Sequence, residues 1–400
     1  MRLLSLRPLL LVLLAVQTAF AANTVDKKVE CDKGDSITAA AADLAVDKTY
    51  VIHVSGTCNE NVVVDNFEGL SLTIVGDPSA TIQGQLNSGL GAPVFFVSNS
   101  RSVNLVHLTV QTSGGITPSD NPVGIAFNLC RGCQVSDIPI QTSRLGVGLT
   151  NSQAVLSNVT VVGSVPGSVG MSVLGDSNAN VINLNATGPG IGGVGLLVDQ
   201  GSRVRLSVLL GTPPGTTSIS GYSVGIQVRG GSSLEAQTQC TPLGGCIEVH
   251  DNVTSGVQII SGQAVFNGVN VTGNHQGIVV QNAGTLSYAG PAGITGNTGA
   301  GTTSVGILVI HNSHASIIGP PVSVGGTTNI TGNGGRGVAV AHNSSVQLLG
   351  PAASVNVIGN SGGGFNLACD SSSLITGTAM LTGGSTITCT DQQPQLLVIP

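Results

Sequence analysis

Asp176, Asp199, Arg203 and Arg205 are residues whose types could do chemistry together. The acids follow the repeated glycines Gly170 and Gly195 by six and four residues, and the arginines come directly after. Carboxylates and guanidinium groups on one surface could hold a cation, hold an anion or move a proton, provided the geometry brings them together. Asp176 also lies in the turn sequence LGDSN, where an Asp commonly bonds its own backbone. A second cluster, Glu235, Glu248, His250 and Asp251, flanks the segment from Cys240 to Cys246. Glu248 and His250 alternate, so on a strand they share a face and could meet a small ligand or metal. The competing use is a solvated loop held by a disulfide.

A third feature is a column. His311 and His342 each lie five residues after a repeated Gly, in HNSHASI and HNSSVQL. Stacked repeats would place them roughly 4.8 Å apart, with Asn282 at the same place one repeat earlier. Together with His314 they could bind a transition metal. No carboxylate or thiolate is placed to complete the ligand set, and a polar column capping turns accounts for the spacing equally well. Tyr222 and Tyr288 are the candidate platforms for stacking on a sugar, in a chain with no Trp, 3 Tyr and 7 Phe.

These residues hang on a repeat. Ten segments begin with Gly, then place two apolar residues around a variable one, then a small polar turn. They start at Gly124, Gly146, Gly170, Gly195, Gly225, Gly256, Gly277, Gly306, Gly337 and Gly364, at intervals of 21 to 31 residues. One such unit cannot bury its apolar face alone, so the period predicts a stacked array. PVFFV from Pro93 fits an eleventh position without its Gly. Each unit holds two or three short apolar runs separated by Gly, Asn, Ser and Asp. A turn recurs after the third run, at Gly273-Asn274, Gly296-Asn297, Gly332-Asn333 and Gly359-Asn360. Asn at one place in successive coils predicts a ladder of stacked amides. Leucine-rich, ankyrin, TPR, WD40 and calcium-nonapeptide patterns are absent. The expectation is an all-β, right-handed parallel β-helix of about eleven coils, roughly 50 Å long at the strand spacing.

The totals agree. Charged residues make up 8% and aromatics 2%, with 58 Gly, a composition too apolar for disorder. Residues 1–21 read as a secretory signal, with Arg2 and Arg7 before an apolar run and Ala19-Phe20-Ala21 as the cleavage site. Loss of those two cations takes the formal charge from −6 to −8. No basic patch interleaved with aromatics points to nucleic acid, and no later apolar run is long enough to span a membrane. An exported chain with eight Cys in neighbouring pairs predicts disulfides: Cys31 with Cys58, Cys130 with Cys133, Cys240 with Cys246 and Cys369 with Cys389. The segment after the signal, residues 22–89, is expected to hold a capping helix over Ser36 to Val46, N-capped by Asp35, and the first coils. Residues 90–368 carry the repeats, and residues 369–400 are expected to cover the far end.

The opening ECDKGDSITAAAADL, the later VSGTCNENVVV and the G-I-x-V coils resemble bacterial exported proteins of the right-handed parallel β-helix group, within the pectin-lyase-like superfamily. The resemblance covers most of residues 30–390 and reports fold more than chemistry. The superfamily's hydrolases resemble one another in N-T-D, D-D, G-H-G and R-I-K strings, none of which occurs here. The resemblance implies a polysaccharide or cell-surface partner. The first expectation is therefore a non-catalytic exported scaffold or carbohydrate-interaction protein. The alternative is a lyase or epimerase, which would need acids for calcium and a base for the proton beside a uronate carboxylate. Asp176, Asp199, Arg203 and Arg205 have those types. A secreted adhesin or passenger with a separate partner is the remaining class.

Overall fold

The computed structural model describes residues 24–399, apart from residues 86–92, 113–121, 210–214, 239–245, 300–303, 321–325, 352–353, 361–365, 382–386 and 390–395. The expected signal, residues 1–21, lies outside the described residues. Strands of successive coils pair in parallel throughout and build two sheets. Among the described residues the front sheet has 13 strands, from Val62–Asp65 to Ile387–Cys389. The other has 21 strands among the described residues and is bent lengthwise into a near arm, which follows the front sheet in each coil, and a far arm. The chain is a parallel β-helix.

A coil shows how sequence sets this path. Val169–Leu174 lies in the front sheet, and Asn178–Thr187 runs through both arms. The bend falls at Asn183, whose φ of 56° is left-handed, a conformation Asn tolerates better than most residues. Further along, the arms become separate strands, as in Val305–Val309, His314–Ile318 and Thr328–Thr331. Alternation sends every second residue inward. Ile307, Val309, Ala315, Ile317 and Ile330 are all fully buried in one continuous core.

The repeated Gly has a steric cause. A Cβ on Gly195 would fall 2.6 Å from the carbonyl oxygen of Gly225, and one on Gly306 would fall 2.6 Å from that of Gly337. Both lie inside any real carbon contact. The glycine column lets neighbouring coils approach where a side chain would hold them apart.

Two polar columns run inside the helix. Nδ2 of Asn274 donates to Oδ1 of Asn297 at 3.1 Å, Asn297 to Asn333 at 2.9 Å, and Asn333 to Asn360 at 2.8 Å. This is the amide ladder that the Gly-Asn turns predict, and Asn252 and Asn366 extend it. At the corner between the front sheet and near arm, the Ser177, Ser202 and Ser232 hydroxyls each accept the backbone N–H of the preceding coil's Ser. These bonds satisfy backbone donors that burial would otherwise leave unpaired.

The ends differ from expectation. The capping helix is only Ile37–Ala41, and its N-cap is Ser36, whose Oγ accepts from the Ala39 N–H. Asp35 instead accepts from the backbone of Glu30. The helix stops early at its C-cap Ala42, which is already extended at φ −74° and ψ 153°, and Asp43 beyond it is left-handed. Ile37 is fully buried and closes the core. The strands Thr24–Glu30, Thr49–Cys58 and Ser71–Gly84 belong to the same bent sheet, so the first coils continue into the repeats. At the far end, Leu374–Met380 and Leu396–Ile399 pair in parallel and extend that sheet. The front sheet holds more rungs than the eleven units expected, because its first and last strands carry no Gly signature.

Cys31–Cys58 and Cys130–Cys133 form disulfides. Cys246 and Cys369 are also disulfide-bonded. Cys240 lies outside the described residues, while Cys369 and Cys389 are register partners on adjacent strands. No helix among the described residues is long and apolar enough to cross a membrane.

Candidate functional site

Arg203 and Arg205 stand on the near-arm strand Arg203–Ser207, alternating with buried Val204 and Leu206. Both point outward and are exposed. In register, Arg203 lies between Asn178 and Ser233, and Gln263 follows Ser233. Arg205 lies between Asn180 and Glu235, and Val265 follows Glu235. These two rows border a shallow trough of about 350 Å³, with Val204 and Leu234 beneath it. Arg205 Nη2 reaches Gln237 Oε1 at 3.5 Å, and the Gln237 amide donates to Glu235. No ion pair among the described residues holds Arg203.

The four-residue arrangement of Asp176, Asp199, Arg203 and Arg205 does not form. Asp199 turns to Arg229, with Nε to Oδ2 at 2.6 Å, and also accepts from the Gln200 backbone N–H. Asp176 sits in the preceding coil's corner turn, left-handed at φ 58° and lying against Gly201. The two acids therefore occupy corner turns, whereas the arginines occupy the flat outward face of the strand that follows. Their offsets of six and four residues put them at different points of the turn, so the acids do not stack.

The second cluster also divides. Glu235 belongs to the near arm, beside Arg205. Glu248 and His250 project together from the far-arm strand Ile247–His250. There Asn270 donates to Glu248 at 2.8 Å, and His250 meets Ser218 Oγ at 3.0 Å and Asp251 Oδ2 at 2.8 Å. Glu248, His250 and Asp251 thus each have a partner within their own or a neighbouring coil.

His311 and His342 stack with ring centroids 4.7 Å apart and planes 5° from parallel. Imidazole lone pairs lie in the ring plane, so two face-stacked rings direct their nitrogens along parallel lines and do not converge on one ion. His314 lies on the near arm, with its ring nitrogens against Ser345 Oγ at 2.8 Å and Ser316 Oγ at 3.1 Å. The three histidines thus do not assemble a ligand set. Among the described residues, no three His, Cys, Asp or Glu side chains converge in a metal site. Asp370, in the next coil, ends the column by accepting from the His342 backbone N–H at 2.8 Å. Hydrogen bonds from Ser373 and from that N–H hold its carboxyl down at about 2.

Tyr222 and Tyr288 cannot serve as platforms, because both are fully buried. Tyr288 packs edge-on to Phe266 and donates to the Val269 carbonyl at 2.6 Å. Burial pushes both phenols up.

A further polar column, which sequence patterns did not reveal, follows the bend between the arms. His107, Asp137, Asn158 and Asn183 are all left-handed there. His107 Nε2 lies 3.3 Å from Asp137 Oδ2, Asn158 donates to Asp137 at 2.7 Å, and Asn183 to Asn158 at 2.7 Å. Burial raises the Asp137 carboxyl, but hydrogen bonds from Ser136 and Asn158 and the nearby His107 outweigh it and leave it lowered. The column braces the bend.

Sequence reasoning also missed Asn178, Ser233 and Gln263 as trough residues. Aligning RVRLS, SLEAQ and QAVFN by the turn before each strand would have found them.

Comparison with known proteins adds the fold. No family model matches the chain, and no curated protein matches it by sequence. The tailspike protein 3 of bacteriophage CBA120 is similar in structure, at TM-score 0.50 and 10% identity, over 96% of this chain. This chain spans 62% of that protein's length. The receptor-binding domain of the siphovirus 9NA tailspike aligns at TM-score 0.38 and 12% identity, over 94% of this chain and 76% of that one. The A-module of the Azotobacter vinelandii mannuronan C-5 epimerase AlgE6 aligns at TM-score 0.26 and 12% identity, over 91% and 92%. At 10% identity the likeness to the CBA120 tailspike is one of fold.

Proposed function

We propose that this chain is an exported, non-catalytic β-helix that binds polysaccharide along the outward face of its near arm. The observation that carries this reading is the trough at Arg203, Arg205 and Glu235 on a flat, polar strand face. Asn, Gln, Ser and Arg side chains repeated rung after rung offer donors and acceptors suited to the hydroxyls of an extended polymer. Glycosidic hydrolysis needs two facing carboxyl groups, and the trough has one, Glu235, already bonded by Gln237. Calcium takes six to eight oxygen ligands, so this donor set does not fit the calcium of the lyase alternative. Disulfides support export. The fold shared with a phage tailspike agrees with an external role.

The test incubates the protein with acidic and neutral polysaccharides, with and without calcium. New reducing ends, unsaturated-product absorbance and retention of the protein are followed in the same tubes. Retention without cleavage is expected. Cleavage of any member would replace this reading with the enzymatic one, and retention on none would remove it.

A further inference from the structure

We infer that the near-arm trough is specific for an anionic sugar residue, bearing one negative charge, within the bound polymer. This rests on the polysaccharide-binding reading and names the chemistry of its site. The argument begins with charge. The chain is acidic, at −6 overall. Yet the outward row of the near arm carries Arg101, Arg131 and Arg203 in line, since Arg101 bridges Arg131 and the register continues through Gln153 and Asn178 to Arg203. Arg205 stands one row over. Arg101 pairs with Glu68, whereas at the trough Glu235 is the one carboxylate beside Arg203 and Arg205 among the described lining residues.

Pairing sharpens the point. The Glu235 carboxylate, beside Arg205 and held by Gln237, offsets one positive charge. The Arg203 guanidinium remains without an ionic partner among the described residues. The site is therefore left with one net positive charge on a fork that matches carboxylate, sulfate ester or phosphodiester oxygens in pairs. Val204 and Leu234 give a small apolar base for a ring, and Asn178, Ser233 and Gln263 border it with groups for hydroxyls. The net negative charge of the whole molecule opposes polyanions at long range, so a preference for them must arise from a local positive site.

The experiment measures binding of the full chain to two matched pairs, dextran sulfate against dextran, and polygalacturonate against its carboxyl-reduced form. The acidic member of at least one pair is expected to bind ten-fold or more tightly than its neutral counterpart. Whichever pair responds identifies sulfate or carboxylate as the source of the charge. Arg203→Gln and Arg205→Gln should each remove most of that preference without moving thermal unfolding, because both side chains are exposed. Arg336→Gln, on the front sheet, should leave it intact. Equal binding of both members in each pair would overturn the anionic site while leaving the polysaccharide reading in place. A preference that survives both arginine substitutions would overturn this location. Retention of no polymer in either pair would overturn the anionic site, and the polysaccharide reading would fall with it only if the wider panel also retained nothing.

Discussion

Asn297 shows what a single residue does in this fold. Its side chain is fully buried, accepts from the backbone and amide of Asn274, and donates to the Val271 carbonyl and to Asn333. Asn297→Ala would leave the Asn274 N–H without its acceptor inside the core. Stranding buried donors costs about 1–3 kcal/mol, so the unfolding free energy should fall by that amount and the denaturant midpoint with it. An unchanged midpoint would mean the ladder is incidental. This column was legible in the sequence because Gly-Asn recurs at one point of each coil. The histidine stack was legible for the same reason. Tyr288 was not, because only its alternation with Leu286 and its register with Phe266 reveal that it faces inward. Glu235 and Glu248 lie close in sequence but fall on different arms, which no local pattern records.

At the scale of the element, strand register replaces sequence proximity as the guide. Arg205 meets Glu235, 30 residues on, because both are the third residue of equivalent strands. The glycines that set this register are the most informative sequence signal, and their cause is the carbonyl of the next coil. Gly306→Ala would push a methyl to 2.6 Å from the Gly337 carbonyl oxygen and 2.8 Å from Asn333 Nδ2 and Ile330 Cγ2. Overpacking of this kind costs about 1–3 kcal/mol. In a stacked array, where each coil contacts only its neighbours, the loss should appear first as faster amide exchange in the strands flanking Val305–Val309. Uniform exchange along the chain would contradict that locality. Rungs without the glycine, such as Val62–Asp65, escaped the repeat count for lack of this mark.

For the whole molecule, stacking turns local alternation into long faces of different character. The core is one continuous column of Ile, Val and Leu. The near arm carries the arginine strip, the far arm carries Glu248 and His250, and the bend between them is braced by amides and Asp137. A face of this kind suits a ligand that is itself long and repetitive. The measurement that tests this most directly is hydroxyl-radical footprinting of the full chain with and without a retained polysaccharide. Protection of outward side chains on Arg203–Ser207, Ser233–Gln237 and Gln263–Asn267 is predicted. Protection confined to the front sheet or to Ile247–His250, with the near arm unchanged, would contradict the account.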